Sequence, residues 1–177
     1  GDAFGSNVSG AGQRVLIEHT SINPNASPHV GRARNAMIGD AVVRMLRFEG
    51  YDVEVHYYVN DMGRQIGLLV LECPKPEQLS FDQILDIYVK ANQRAEAEPE
   101  FAARGYELLV KMEEKDPETV EKFHRITDLC LRGQLAVLER IGTSYDVFDR
   151  ESDYLRDARL EQVLAARGGR LGYNVKL

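Results

Sequence analysis

The residues whose types and spacing could carry chemistry gather in 17–40, IEHTSINPNASPHVGRARNAMIGD. An apolar run ends there, a polar loop with two prolines follows, and a helical pattern starts at His29-Val30-Gly31-Arg32. A helix N-terminus presents unpaired N–H groups and partial positive charge, which suits a phosphate. Gly31 leaves room where a ligand must approach the backbone. His29 can donate to a phosphate oxygen, and Arg32 and Arg34 add fixed positive charge. Glu18, Ser21 and Asn23 come just ahead, at the C-terminal end of a predicted strand, where open α/β sheets bind ligands. A carboxylate at that place pairs with a cation. An Asn amide both donates and accepts, as the ammonium and carboxylate of an amino acid require. The same residues also fit an ordinary strand-to-helix turn, with Glu18 a surface acid, Asn23-Pro24 a turn initiator and the two Arg solvated.

A second polar cluster is Tyr57-Tyr58-Val59-Asn60-Asp61-Met62-Gly63-Arg64-Gln65. It too follows a strand and opens a helix, so Tyr58, Asn60, Asp61 and Gln65 are candidates for the ligand-facing edge. Asn60 or Asp61 equally fits a helix N-cap. Metal chemistry has no support in the pattern: His19, His29, His56 and His124 show no HxxxH or HExxH spacing. Cys73 and Cys130 form no CxxC pair. We read them as two buried reduced thiols, which favours an intracellular, cytoplasmic chain.

These clusters need elements to position them. Residues 14–19 read as a short buried strand and 52–58 alternate with period two as a second strand. Between them, 31–48 is predicted helical. Its apolar stripe is Ala33, Met37, Ala41, Met45 and Phe48, widened by Ile38, Val42 and Leu46, and Gly50 stops it. Strand, helix, strand at this length is a βαβ unit with parallel strands and a right-handed crossover. Helices are then predicted over 64–72, 81–96 and 100–114. A long one starts at Asp116-Pro117-Glu118 and is ended by Gly142. Its apolar face takes in Val120, Phe123, Ile126, Cys130, Val137 and Ile141, flanked by Leu131, Leu135 and Leu138. Residues 145–148 are a candidate strand, 152–167 a candidate helix, and the last ten residues turn-like.

The 177 residues carry 44% hydrophobic and 28% charged residues, the balance of an ordinary globular domain, which excludes collagen-like, low-complexity and wholly disordered classes. The length suits one compact domain, with or without an insertion. No apolar run approaches the roughly 20 residues that span a bilayer, and residues 1–12 lack the layout of a signal peptide. The first residue is not Met, from which we expect a processed chain or a piece of a longer one. The net charge is −6. Residues 1–70 hold 6 basic and 7 acidic groups, so the acidic surplus lies further on, and no basic nucleic-acid stripe stands out.

Taken together, IEHTSINPNASPHVGRARN, Gly50-Tyr51, YYVNDMGRQ and the later run Tyr145-Asp146-Val147-Phe148-Asp149-Arg150-Glu151-Ser152-Asp153-Tyr154-Leu155 resemble the catalytic domain of the arginyl-tRNA synthetases, which are class I aminoacyl-tRNA synthetases. Residues 1–7, GDAFGSN, resemble the entry into that domain, while 71–140 are less distinctive. The resemblance implies an α/β fold: the first half of a class I synthetase Rossmann-like nucleotide-binding fold, with parallel strands and a helical insertion. It divides the chain into a flexible lead-in at 1–12, a first βαβ unit at 13–72, a helical insertion at 73–142 and a continuation of the catalytic domain at 143–177, apparently truncated. His29 and Gly31 match the His-Ile-Gly-His signature that holds ATP. Arg32 departs from its last His but still offers a cation to the phosphates. By the same resemblance Glu18 faces the guanidinium of arginine, Ser21 belongs to the arginine-pocket loop, and Asn23 holds the α-amino end. Tyr58, Asn60, Asp61 and Gln65 lie near the catalytic face.

The implied partners are arginine, ATP with magnesium as substrate, and tRNA(Arg), with no tightly bound cofactor, no protein-bound metal, no membrane and no DNA. The family's Lys-Met-Ser-Lys-Ser loop, later arginine-binding helix and anticodon-binding domain find no match in these 177 residues, so the expectation is a segment that does not charge tRNA by itself. Two other readings compete: a stand-alone relative that binds arginine or a nucleotide without charging tRNA, and a partner-binding piece that pairs with the other half of the fold.

Overall fold

The computed structural model describes residues 4–155, 162, 163, 165 and 166. Their sheet has three parallel strands in the order β1 (Arg14–Glu18), β2 (Asp52–Val59) and β3 (Val147–Arg150). Val15 pairs with Val53 and Ile17 with Val55; Tyr57 pairs with Phe148 and Tyr58 with Asp149. Helix α1 (Val30–Phe48) connects β1 to β2. Helices α2 (Arg64–Glu72), α3 (Phe81–Ala97), α4 (Pro99–Glu113) and α5 (Pro117–Glu139) lie between β2 and β3. The chain thus leaves a sheet, builds a helical unit, and returns to the next position in the same sheet. The α/β class, the parallel strands and the helical insertion are as expected.

Period two in β2 sorts its side chains between two faces. Val53, Val55, Tyr57 and Val59 are buried. Val53 and Val55 pack with Val43 of α1, while Tyr57 and Val59 pack with Ala36 and with Leu131 and Leu138 of α5. Glu54, His56 and Tyr58 point to the other face. The helical unit has its own core, in which Ile66, Leu69, Met112, Phe123 and Ile126 are buried together. Each such side chain contributes about 1.5–3 kcal/mol through removal from water. Helices α2 and α4 approach closely because both meet at glycine: a Cβ on Gly67 would stand 2.6 Å from the carbonyl oxygen of Gly105. Cys73 and Cys130 are buried in this core as free thiols, and burial pushes them up to about 11 and about 12.

Several boundaries and faces differ from the sequence expectation. The stripe expected to bury α1 is largely outside: Met37 and Met45 are 59% and 60% exposed, and Ile38 and Phe48 are also exposed. The buried positions are Ala36 and Val43, small enough for the helix to lie close to the sheet. Val137 and Ile141 are likewise exposed, whereas the polar Thr127 and Gln134 of α5 are fully buried. Apolar periodicity sees neither choice, because it cannot tell a core from another covered surface. Helix α5 ends at Glu139, and Gly142 (φ 79°) belongs to the turn beyond it. The third strand is Val147–Arg150 rather than 145–148. Of the helix expected over 152–167, Glu151–Tyr154 form a 3-10 turn and the described residues 162, 163, 165 and 166 are helical; the others after Leu155, and the expected terminal turns, lie outside the described residues. No helix among the described residues is long and apolar enough to cross a membrane.

Candidate active site

The polar loop leaves β1 through a kink. Thr20 and Ser21 have φ of 74° and 40°, a left-handed backbone that β-branched residues avoid. Neighbours hold it there. Tyr145 Oη donates to Thr20 Oγ1 at 2.7 Å, and Thr20 Oγ1 lies 2.7 Å from His19 Nδ1. The Tyr58 N–H donates to Ser21 Oγ at 3.0 Å, and Ser21 Oγ in turn donates to the Glu18 carboxylate. The kink therefore brings Ser21 back onto Glu18. His19 is buried against α1, where Gly39 has no side chain; a Cβ there would stand 2.3 Å from the His19 ring. Burial pushes the His19 imidazole down, against the pull of Asp40 and Glu18, which favours the neutral ring beside the Thr20 hydroxyl.

His29 is the N-cap of α1, and its Nδ1 accepts from the Gly31 N–H at 3.1 Å. The Arg32 and Ala33 N–H groups donate to the His29 carbonyl at 2.9 and 3.1 Å, so three N–H groups of the helix start are already bonded within the turn, a correction to the expectation of unpaired donors. The bond from Gly31 also fixes the ring: with Nδ1 an acceptor, a neutral imidazole carries its proton on Nε2, which is left to donate outward. A Cβ on Gly31 would meet His29 Cε1 at 3.1 Å. Arg32 Nη1 donates to the Ser27 carbonyl at 2.6 Å, so the guanidinium lies back along the loop. Arg34 is exposed.

The expected residues do not share one cavity. Glu18 and Tyr58 line a cleft of about 300 Å³ on the open sheet face, with Leu16, His56, Asp149 and Tyr154. His56 stands between two carboxylates, Glu54 Oε1 at 2.8 Å from Nε2 and Asp149 Oδ2 at 2.5 Å from Nδ1. Hydrogen bonds to Glu54 and then Asp149 raise its pKa above the usual histidine range. Burial, with Glu151 nearby, pushes the Tyr58 phenol up to about 12, so it remains a donor. Asn23, Arg32 and Gln65 line a second groove of about 450 Å³ whose other wall is Leu85, Tyr88 and Val89 of α3. Asn25 Nδ2 donates to Gln65 Oε1 at 2.8 Å across it. Asn60 lies at a smaller recess with Gln65, and its amide nitrogen, turned toward Glu151 and the Met62 carbonyl, donates to both.

Asp61 is the clear departure. It is fully buried and faces no cleft. Its carboxylate accepts from the Ser152 N–H at 2.9 Å and from Ser152 Oγ at 2.6 Å, with His124 Nε2 at 3.2 Å and Arg150 Nη1 at 3.7 Å. Burial alone would push this carboxyl up, but the bonds from His124 and Ser152 outweigh it and hold it low. Asp61 thus ties the end of β2 to α5 and to the turn after β3. It does not cap α2 either, whose N-cap is Gly63.

Sequence reasoning missed Tyr57, His56, Asp149 and Gln134. Alternation in β2 could have placed His56 beside Tyr58 on the Glu18 face; nothing local announced Gln134. Among the described residues no three His, Cys, Asp or Glu side chains converge as a metal ion would require.

Residues 3–166 match the family of class I (R) tRNA synthetases, catalytic domain. The arginine–tRNA ligase of Methanococcoides burtonii is 40% identical over 171 residues, covering 92% of this chain and 29% of that protein. That of Archaeoglobus fulgidus is 39% identical over 153 residues, covering 85% and 28%. Among solved structures, the arginyl-tRNA synthetase of Thermus thermophilus superposes with a TM-score of 0.60 at 28% identity, covering 89% of this chain and 26% of that one. The Plasmodium falciparum enzyme, at 19% identity, has a TM-score of 0.71 over 93% of this chain and 28% of that one, a likeness of fold. The chain spans less than a third of the length of these curated relatives. The parallel sheet and these matches agree: the chain belongs to the class I (R) tRNA synthetase family, as part of its catalytic domain.

Proposed function

We propose that this chain is the catalytic-domain segment of an arginine–tRNA ligase, which activates arginine with ATP to arginyl-adenylate and transfers arginine to tRNA(Arg). The observation that supports it best is the loop from Glu18 to Gly31, where a carboxylate and a His-capped helix start sit at the two ends of one strained turn. In the first step the arginine carboxylate attacks the α-phosphorus of ATP and pyrophosphate leaves. In the second a terminal tRNA hydroxyl attacks the activated carbonyl and AMP leaves. No protein nucleophile is required; the chain's part is to position the reactants and neutralise charge.

In this reading Glu18 takes the guanidinium, with Ser21 holding its carboxylate in place, and Asn23 takes the α-amino group. His29 donates from Nε2 to a phosphate oxygen, Gly31 keeps the approach open, and Arg32 swings from Ser27 toward the phosphates. Tyr58 edges the sheet-face cleft, Gln65 the groove against α3 and Asn60 the smaller recess beside it, whereas Asp61 acts as a tie. Magnesium arrives with ATP as part of the substrate.

The test is ATP–pyrophosphate exchange with each amino acid, with and without tRNA, on residues 1–177 and on the full reading frame that contains them. Exchange dependent on arginine alone supports the reading. Binding of arginine or ATP without exchange or charging by the full product supports the non-charging relative instead.

A further inference from the structure

Gln134 of α5 is fully buried, yet it is a polar residue in the middle of a helix. Its Nε2 donates to the carbonyls of Asn23 and Ala26, both at 2.8 Å, with the Pro24 carbonyl at 3.3 Å. Its Oε1 accepts from Tyr57 Oη at 3.1 Å. That hydroxyl is itself fully buried and accepts from the Ile22 N–H at 3.0 Å. The carbonyls around Nε2 fix the amide's orientation, and the single Tyr57 hydroxyl proton is shared between Gln134 Oε1 and the Ile22 carbonyl at 3.3 Å. The donor bonds of Gln134 all end on the loop that carries Asn23 and leads to His29. Its acceptor bond ends on Tyr57 of β2, whose hydroxyl in turn holds the Ile22 N–H of that loop. The Asn23 carbonyl also accepts from the Ala26 N–H at 2.9 Å, whereas without Gln134 the Pro24 and Ala26 carbonyls would lose the amide donor that reaches them.

We propose that Gln134 and Tyr57 are positioning residues for the substrate loop. The helical insertion, through α5, thereby sets the geometry of the amino-acid and phosphate sites. The inference rests on the role proposed above for that loop. The distinction from simple core filling is directional: the side chain donates to carbonyls of the loop backbone at Asn23, Pro24 and Ala26, not to its own helix. Thr127, equally buried on α5, has no hydrogen-bond partner for its hydroxyl among the described residues and serves as the matched control.

The experiment uses the full polypeptide that contains these residues. Gln134→Leu keeps approximate volume and removes the donors; Tyr57→Phe keeps the ring and removes only the hydroxyl. Both are expected to lower kcat for arginine-dependent pyrophosphate exchange at least tenfold, and to speed amide hydrogen exchange at Ile22 and Ala26. Thr127→Val should change neither. Gln134→Glu adds a pH readout: its ionised carboxylate faces carbonyl oxygens, while the protonated acid can donate once. Its deficit against wild type should shrink as pH falls, and that of Gln134→Leu should not. Wild-type kcat, KM and loop exchange in both Gln134→Leu and Tyr57→Phe overturn the proposal; should Gln134→Leu fail to fold, Tyr57→Phe decides. If the wild type shows no arginine-dependent exchange, the functional reading falls, and amide exchange in the variants still decides whether the pair positions the loop.

Discussion

At the scale of single residues, charge and tautomer decide what the loop can do. Glu18 is exposed on the sheet face and receives the Ser21 hydroxyl, so its carboxylate is oriented yet open. Glu18→Gln keeps the shape and removes the charge. Losing a charge-assisted bond should weaken arginine binding by about 1.5–3 kcal/mol, roughly 10- to 150-fold. Calorimetry with arginine and citrulline checks this, and equal affinity of the wild type for both removes Glu18 as the guanidinium partner. At the other end of the loop, His29→Ala deletes both the helix cap and the outward Nε2 donor. It should weaken ATP binding while the fold persists. Gly31→Val should do more, since its side chain presses on the His29 ring as well as blocking the approach. Unchanged nucleotide affinity in both variants, titrated calorimetrically, would refute the phosphate assignment.

At the scale of elements, two contacts hold the site to its scaffold. Helix α1 touches the end of β1 where Gly39 meets His19. Gly39→Ala gains helix propensity, worth up to about 1 kcal/mol. The new methyl nevertheless falls 2.3 Å from a ring carbon, and overpacking of this kind costs about 1–3 kcal/mol, so the clash wins and Tm should fall. A Tm at or above wild type would show that the ring has room to move. Strands β2 and β3 are joined across the open face by His56 and Asp149. The raised pKa means the folded state holds the His56 proton more tightly than the unfolded chain does. Its stabilisation is complete below the unfolded value of about 6.5 and is lost as pH rises through the higher folded value. The stability advantage of wild type over His56→Gln should therefore shrink as pH rises through that window, measured by urea midpoints. His19, buried and pushed down, acts with the opposite sign, and the difference between the two proteins removes it.

At the scale of the whole molecule, Asp61 joins sheet and helical unit. Its carboxylate binds the turn after β3, faces His124 of α5, and lies near Arg150, whose buried Nη1 has no hydrogen-bond partner among the described residues. Asp61→Asn removes the charge from among these donors. Breaking one side of a buried pair should cost about 3 kcal/mol, lowering the urea midpoint with the slope unchanged. A loss under 0.5 kcal/mol would mean that His124 and Ser152 satisfy each other without it. Because the same tie spans two units, its loss should loosen the groove between loop and α3 as well.

The sequence by itself determined the local events and the family. Asp116-Pro117-Glu118 and Gly50 mark a helix start and a helix end because caps and left-handed glycines act over a few residues. Period two in 52–58 is a strand, and the family to which the motifs point is the one that residues 3–166 match. Tertiary structure alone decided which face of α1 is buried, since apolar stripes mark any covered surface and Ala36 and Val43 are chosen by closeness to the sheet. It also decided that Asp61 is a buried tie between elements, because its partners lie 63 to 91 residues away along the chain. Gln134 is the extreme case: a polar residue within an apolar helical pattern says nothing locally. Its meaning comes from loop carbonyls 108 to 111 residues earlier in the chain, brought to its amide only when α5 folds back under the loop.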